Sequence, residues 1–382
     1  MNHDINALDL FSETYAQARS KFQTVAAKAG LTCTSHVMPE RGVEGEQLAI
    51  DVVCLGSPEP RQLVIISSGA HGVEGFAGSA IQLGLMKADL AQDLPQDMAV
   101  VLIHALNPHG MSWSRRECED GSDLTRNVSH HLHPPFPNEE YELFHPLLVP
   151  DPGVVGGAPP TDASPTGGLA WLRVEFERVL AEHKIENPGP ILRIGQYAHA
   201  DGLTYHGLQP SWSTKHWMDI TRKYAHSAED VMLIDIHTGF GDYGDLLVQN
   251  PSYRHSSPAY ATLCQWLGRE PAGYSDDGSI IEHRIETFEA LHRQCRGDAR
   301  VAAMYFEFGT KEPDAFIDPW IQNNWYFHYG DRFCPEAVQA RRDFAGFCYI
   351  RESEWKWSVW EKGRLQLEQL LGSLEKNNRG KK

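Results

Sequence analysis

The stretch Leu63–Leu90, LVIISSGAHGVEGFAGSAIQLGLMKADL, decides the fold. Its first six residues are apolar and partly β-branched, then small and polar, as in a buried strand that ends abruptly. Glycine follows at Gly69, Gly72 and Gly75. From Gly75 to Leu90 small and apolar residues recur at helical spacing. A second apolar run, VVLIHAL (100–106), comes next. Strand, helix, strand is the unit of a parallel or mixed sheet with helices on its faces, so the chain reads as α/β.

Working outward, LAIDVVCL (48–55), DVMLIDIH (230–237) and VAAMYFEFG (301–309) read as further buried strands. Leu8, Leu10, Phe11, Tyr15, Ala18, Phe22 and Val25 predict one amphipathic helix over about 8–28, with Ser12 capping within it or a start further upstream. Further helices are expected over 169–183, 211–225, 335–348 and 352–371. Between Val128 and Gly168 the chain is rich in Pro and Gly, which predicts an irregular excursion. No repeat and no domain boundary stands out. The expectation is a single domain over 1–382, with a long insertion at about 128–230 and a helical tail from about 351.

Composition excludes several classes. The formal net charge is −17, which argues against nucleic acid and against an anionic membrane surface. No apolar run approaches the roughly 20 residues that span a bilayer. The polar, acidic start lacks the pattern of a signal peptide, so the protein reads as cytoplasmic. The seven cysteines are odd in number and scattered without a CxxC pair, which fits reduced thiols.

Three apolar runs end in polar, glycine-flanked groups: His71 and Glu74 after the first, His237 after 230–236, and Glu307 within FEFG. In open α/β sheets ligands gather beyond the carboxyl ends of the strands, so these four residues are candidates for one crevice. The HxxE spacing alone is weak, since it also begins at His183, His226 and His283, where solvated surface pairs are expected. Two histidines and a glutamate form a set suited to catalytic zinc, with a position left open for water. NPHGMSWSRRECEDGSDLTRNV (107–128) follows the strand at 100–106 and supplies Arg115, Arg116 and Arg126. Arginine grips carboxylates or polarises carbonyls. Arg115 is read as pairing with a nearby acid, while Arg116 and Arg126 are open to either role. Asp235, two residues before His237, shares its strand face and either orients a ligand histidine or pairs with an arginine.

Other residues read more plainly. His104 is expected as a core histidine. His130, His131 and His133, with His199 and His206, are expected in surface loops, the 195–210 segment being a candidate substrate lid. Trp212, Trp217, Trp355, Trp357 and Trp360 are expected in packing. No nucleophile elbow, P-loop or dinucleotide fingerprint is present.

SGAHGVEGFAGSA, NPHG, RRECEDGSDLTRN, GQY (195–197), IDIHTGFG and FEFGT together resemble the DUF2817 group, related to the M14 zinc carboxypeptidases and to the succinylglutamate desuccinylase and aspartoacylase deacylases. The resemblance runs from about Phe11 to Leu370. It implies a three-layer α/β/α fold of the zinc-carboxypeptidase type with a mixed, mostly parallel sheet, one zinc ion, and hydrolysis of an amide bond. It implies His71, Glu74 and His237 as zinc ligands, Glu307 as general base to a zinc-activated water, and Arg116 as the group that polarises the scissile carbonyl. Thr125, Arg126 and Asn127 fall on the substrate-binding motif. The related families usually read DLNRN, and Thr125 stands where an asparagine often takes a terminal carboxylate. Tyr243, Tyr253 and Tyr274 are all eligible as a substrate-side tyrosine. The expected substrate is a small molecule or short peptide bearing a carboxylate, cleaved in the carboxypeptidase manner. The alternatives are an N-acyl amino acid deacylase, a non-catalytic zinc-dependent binding protein, and a metal-free interaction protein.

Overall fold

The computed structural model describes residues 5–130, 132, 134–150, 168–250, 255–272, 287–312 and 316–379. Among them seven strands form one sheet: β1 (Cys33–Arg41), β2 (Gln47–Gly56), β3 (Gln62–Ser68), β4 (Met98–His104), β5 (Asp230–Gly239), β6 (Leu246–Gln249) and β7 (Arg300–Gly309). Their order is β1-β2-β4-β3-β5-β7-β6. The four central strands, β4, β3, β5 and β7, run parallel, and β1, β2 and β6 are antiparallel to their neighbours. The sheet is thus mixed, with helices on both faces. The wholly buried β3, β4 and β5 explain the unbroken apolar runs, because a strand covered on both faces has no solvent side to mark with polar residues.

The helix Gly75–Lys87 is buried along all but its last residue and packs on β3, β4 and β5. Ser68 and Ile236 face its Gly78. Strand alternation therefore turns Ser67, Asp235 and His237 to the opposite face. The long helix Ser353–Arg379 packs over Gly75–Lys87 as an outer layer.

The connections place a crevice. From β3 the chain passes outward to β4, crosses back to β5 on the other side of β3, forms the edge strand β6, and returns to place β7 between β5 and β6. The order reverses between β3 and β5, which is where open α/β sheets bind ligands. The carboxyl ends of β3, β5 and β7 lie side by side there.

Several expectations need correction. The first helix spans Tyr15–Lys28, not 8–28, because Thr14 accepts from Gln17 N at 3.2 Å and caps it, while Ala7–Asp9 form a separate 3₁₀ turn. β4 ends at His104 because Ala105 takes a left-handed φ of 54°. β1 and β6, and the helices Tyr141–Leu148, Pro258–Leu267 and Ile317–His328, have no counterpart in the sequence reading. His104 lies in the core, stacked on Phe22 with Nε2 3.0 Å from Ser79 Oγ. Trp217, Trp355 and Trp360 are buried, but Trp357 is exposed. All seven cysteines are free. No helix among the described residues is long and apolar enough to cross a membrane.

Candidate metal centre

His71 and Glu74 sit just beyond β3. Gly69 takes a φ of +74° to turn the chain out of the strand. The residues Gly72–Glu74 then form a 3₁₀ turn at the head of the helix Gly75–Lys87. A side chain at Gly72 would place its Cβ 2.2 Å from Gly110 C and Met111 N, so only glycine lets the turn lie on this backbone. The turn is tied down by Val73 N, which donates to Arg115 O at 2.9 Å.

His237 comes from β5, in register opposite Glu307 of β7. His71 Nδ1 lies 3.1 Å from Glu74 Oε1, and His237 Nδ1 lies 3.1 Å from Glu74 Oε2. The two Nδ1 atoms are 3.1 Å apart. A tetrahedral ion held at about 2.0–2.1 Å would have ligand-to-ligand edges of about 3.3–3.4 Å, near the Nδ1–Nδ1 spacing, and the carboxylate turns a different oxygen to each ring. Two ring nitrogens converging on each other and on one carboxylate form the donor set of a cation site. All three residues are buried.

Each histidine is held from behind. Asp235 Oδ2 lies 2.5 Å from His237 Nε2, and Ser67 Oγ donates to Asp235 Oδ1 at 2.7 Å. Asp123 Oδ1 lies 3.4 Å from His71 Nε2. Asp123 also caps the short helix Leu124–Asn127 and pairs with Arg116 Nε at 3.1 Å and with Arg126 Nη1. Such partners fix the tautomer and aim of a metal-binding ring.

The charges follow from these contacts. Burial pushes Glu74 upward, but His71 and His237 outweigh it and hold the carboxyl well below its usual range. Burial likewise opposes ionisation of Asp123, and Arg126, Arg116 and His71 overcome it. Burial disfavours a proton on His237, yet Asp235 and Glu74 hold one there in the metal-free chain. Glu307 moves the other way. Its burial and the nearby Glu74 carboxylate raise it to about 7, against His237, the Phe240 N–H and Arg116. Glu307 Oε1 accepts from Phe240 N at 3.1 Å.

The arginines and the 125–127 segment are closely engaged. Arg116 Nη1 reaches Glu74 Oε1 at 3.5 Å, and its guanidinium lies 5.5 Å from the Trp320 ring. Arg115 pairs with Glu117 at 3.0 Å and donates to Asn324 at 3.0 Å, away from the triad. Thr125 Oγ1 donates to Asp123 Oδ1 at 2.6 Å and lies 3.3 Å from His71 Nε2. Asn127 donates to His206 O and Gln209 O and accepts from Ser211 N and Thr214 Oγ1, which uses every hydrogen-bonding position of its amide. It therefore clamps the 206–214 segment.

The 195–210 segment is not a loose surface loop. His206 is buried, stacks on Tyr197 and lies 2.8 Å from Ile194 O, while half-buried His199 meets Glu142. Tyr243 is exposed. His131, His133, Tyr253, Tyr274 and His283 lie outside the described residues. His183 and His226 stand apart from the triad, on a helix end and a turn.

The sequence reading missed Asp123 as a centre of contacts, and Trp320. Asp123 carried one signal, its place as a cap before LTRN. Trp320 carried none, since it comes from a distant helix.

Comparison with known proteins adds the following. The chain is similar to carboxypeptidase A from Helicoverpa armigera, with 12% identity over 89% of this chain and 75% of that one and a TM-score of 0.41. It is similar to bovine thrombin-activatable fibrinolysis inhibitor, solved in complex with tick carboxypeptidase inhibitor, with 11% identity over 96% and 98% of the chains and a TM-score of 0.44. It is also similar to a metallo-carboxypeptidase from Burkholderia cenocepacia, with 13% identity over 96% and 71% and a TM-score of 0.40. At these scores the likenesses say nothing of activity, so any functional reading rests on the residues. No curated protein matches the sequence. The family model described as "Protein of unknown function (DUF2817)" matches residues 11–362, nearly the whole chain, and the protein belongs to that family.

Proposed function

We propose that the chain is a zinc-dependent hydrolase that cleaves an amide bond in a small, carboxylate-bearing peptide, in the carboxypeptidase manner. One observation carries the reading: the Nδ1 atoms of His71 and His237 and the carboxylate of Glu74 converge at 3.1 Å separations, with Glu307 in register beside His237. His71, Glu74 and His237 would hold the ion. Zinc bound there supplies Lewis acidity and brings the pKa of a bound water toward neutrality.

The chain's own residues do the rest. Glu307 is fixed through Oε1 by the Phe240 N–H, and its second oxygen takes a proton from water and returns it to the leaving nitrogen. Burial, the largest influence on Glu307, raises its carboxyl above the ordinary range, the direction that helps it pass a proton on. Arg116 stabilises negative charge growing on the attacked carbonyl oxygen. Its cation–π contact with Trp320 and its bond to Asp123 hold it in reach. Arg126 orients a substrate carboxylate, for which it must share or leave Asp123. Asn127 shapes the site indirectly by clamping 206–214.

Thr125 supports a second reading, an N-acyl amino acid deacylase. Its single hydroxyl is already given to Asp123, so it offers no amide fork to a terminal carboxylate. The test is a panel of short peptides and N-acyl amino acids, run with zinc-loaded wild type and Glu307→Gln. Cleavage by wild type, with at least about a hundredfold loss in Glu307→Gln and zinc retained, supports the mechanism. Equal rates in the two proteins refute it. Cleavage of the acyl series alone selects the second reading.

A further inference from the structure

A second cluster lies outside the proposed reaction centre, where the helix Tyr141–Leu148 meets the 196–202 loop. His145 Nε2 lies 3.3 Å from Asp201 Oδ1, and His199 Nε2 lies 2.9 Å from Glu142 Oε2. The two imidazoles stack with centroids 3.6 Å apart. His145, His199 and Asp201 each offer a ligand atom, and these atoms lie within 4.8 Å of one another. Glu142 and His145 are three apart on one helix and share a face.

The loop side is held in place before any ligand arrives. Gln196 Nε2 donates to His199 O, and His199 N donates to Gln196 Oε1, both at 2.7 Å. Asn324 Nδ2 donates to Asp201 O at 2.7 Å, and the Tyr329 hydroxyl donates to Asp201 Oδ2. Asp201 Oδ1 is the oxygen that faces His145. The side chains of His145 and Asp201 remain 17% and 26% exposed, so an ion can enter without unfolding the site.

We infer that His145, His199 and Asp201 form a second zinc site. Two imidazoles with carboxylate oxygens make the donor set that borderline divalent ions such as zinc prefer. The stacked rings do not yet aim their in-plane lone pairs at one point, so binding asks one ring to rotate about its side-chain torsions, which their partial exposure allows. An ion there would join the helix Tyr141–Leu148 to the loop and, through Asp201, to the helix Ile317–His328. That loop leads into Tyr205, whose carbonyl accepts from Asp123 N at 2.8 Å. The second site thus braces the wall behind Asp123 and Arg126.

The experiment strips the full-length protein with a chelator, reloads it with zinc, removes the excess, and counts zinc by elemental mass spectrometry. His145→Gln and Asp201→Asn are compared with wild type and with His71→Ala, each checked by thermal melting without metal. The expected counts are about two zinc ions in wild type, about one in each single variant, and none in His71→Ala/His145→Gln. Zinc lost from His145→Gln but kept in His71→Ala supports this site while removing the first. One zinc in wild type that survives both His145→Gln and Asp201→Asn overturns the inference. So does a second zinc indifferent to both substitutions, which would mark adventitious binding. Should His145→Gln fail to fold, Asp201→Asn decides by itself, since its backbone bond to Asn324 is kept.

Discussion

Replacing Asp235 by asparagine isolates what a buried carboxylate contributes behind the proposed metal centre. Asp235 Oδ2 meets His237 Nε2 at 2.5 Å, and Oδ1 accepts from Ser67 Oγ at 2.7 Å. Asparagine has the same shape. Its oxygen can face the His237 N–H while its amide faces the Ser67 hydroxyl, so the fold should persist. What disappears is the charge. A hydrogen bond to a charged group contributes about 1.5–3 kcal/mol and a neutral one about 0.5–1.5. The difference is about 1–1.5 kcal/mol, or roughly five- to tenfold in zinc affinity. Partners behind metal-binding histidines typically contribute 10–100-fold, so about tenfold is where the two scales meet. Competition with a chromophoric chelator measures it. The comparison belongs at one fixed pH, because Asp235 also favours a proton on His237 when no ion is bound, and its removal relieves part of that competition. Ser67→Ala, which keeps the charge, should cost less than threefold. An Asp235→Asn protein that melts like wild type without metal and binds zinc equally well would refute the view that Asp235 orients His237.

Gly72→Ala should weaken both zinc binding and stability, because its Cβ would fall 2.2 Å from backbone atoms of Gly110 and Met111. A stability loss of about 1–3 kcal/mol by denaturant titration is expected, and an unchanged midpoint would contradict the close approach. Burial lowers His104 from its ordinary 6.5 to about 4. The unfolded chain therefore takes up a proton that the native chain refuses between those values. Stability falls as pH drops from about 6.5 to about 4, by up to about 3 kcal/mol. His104→Gln, measured in chelator, should flatten that part of the melting-temperature profile, and an unaltered slope would contradict it. Thr125→Asn restores an amide where terminal carboxylates are often bound, so it should lower KM for peptides with a free carboxyl end relative to N-acyl amino acids. An equal effect on both series would remove Thr125 from substrate choice.

The parts of the fold legible in the sequence were those where burial wrote a pattern. β3, β4, β5 and β7 are covered on both faces, and each shows as an apolar run. β1 reads CTSHVMPER and lies mostly exposed at the sheet edge. Backbone pairing with β2 makes it a strand, and such pairing leaves no mark on side-chain polarity. β6 has four residues, too few to show alternation. His71, Glu74, His237 and Glu307 stood out because polar residues at the end of an apolar strand need a reason to be there. Asp123 did not, because His71 joins Arg116, Thr125 and Arg126 around it only when the β3 turn meets the 115–127 segment in space. Trp320 lies beneath Arg116 although about two hundred residues separate them in sequence, and only tertiary packing makes that pair. Arg115 and Arg116 are neighbours in sequence, yet one turns to Glu117 and the other to Glu74, a division that local sequence does not carry.

The central claim is that His71, Glu74 and His237 hold one zinc ion. Anomalous diffraction at the zinc edge, on crystals of the full-length protein grown with zinc, tests it most directly. The account predicts a peak about 2.0–2.2 Å from the Nδ1 atoms of His71 and His237 and from the Glu74 carboxylate, absent in His237→Ala. A zinc-loaded crystal with no peak among these three residues, or one that survives His237→Ala unchanged, would contradict it.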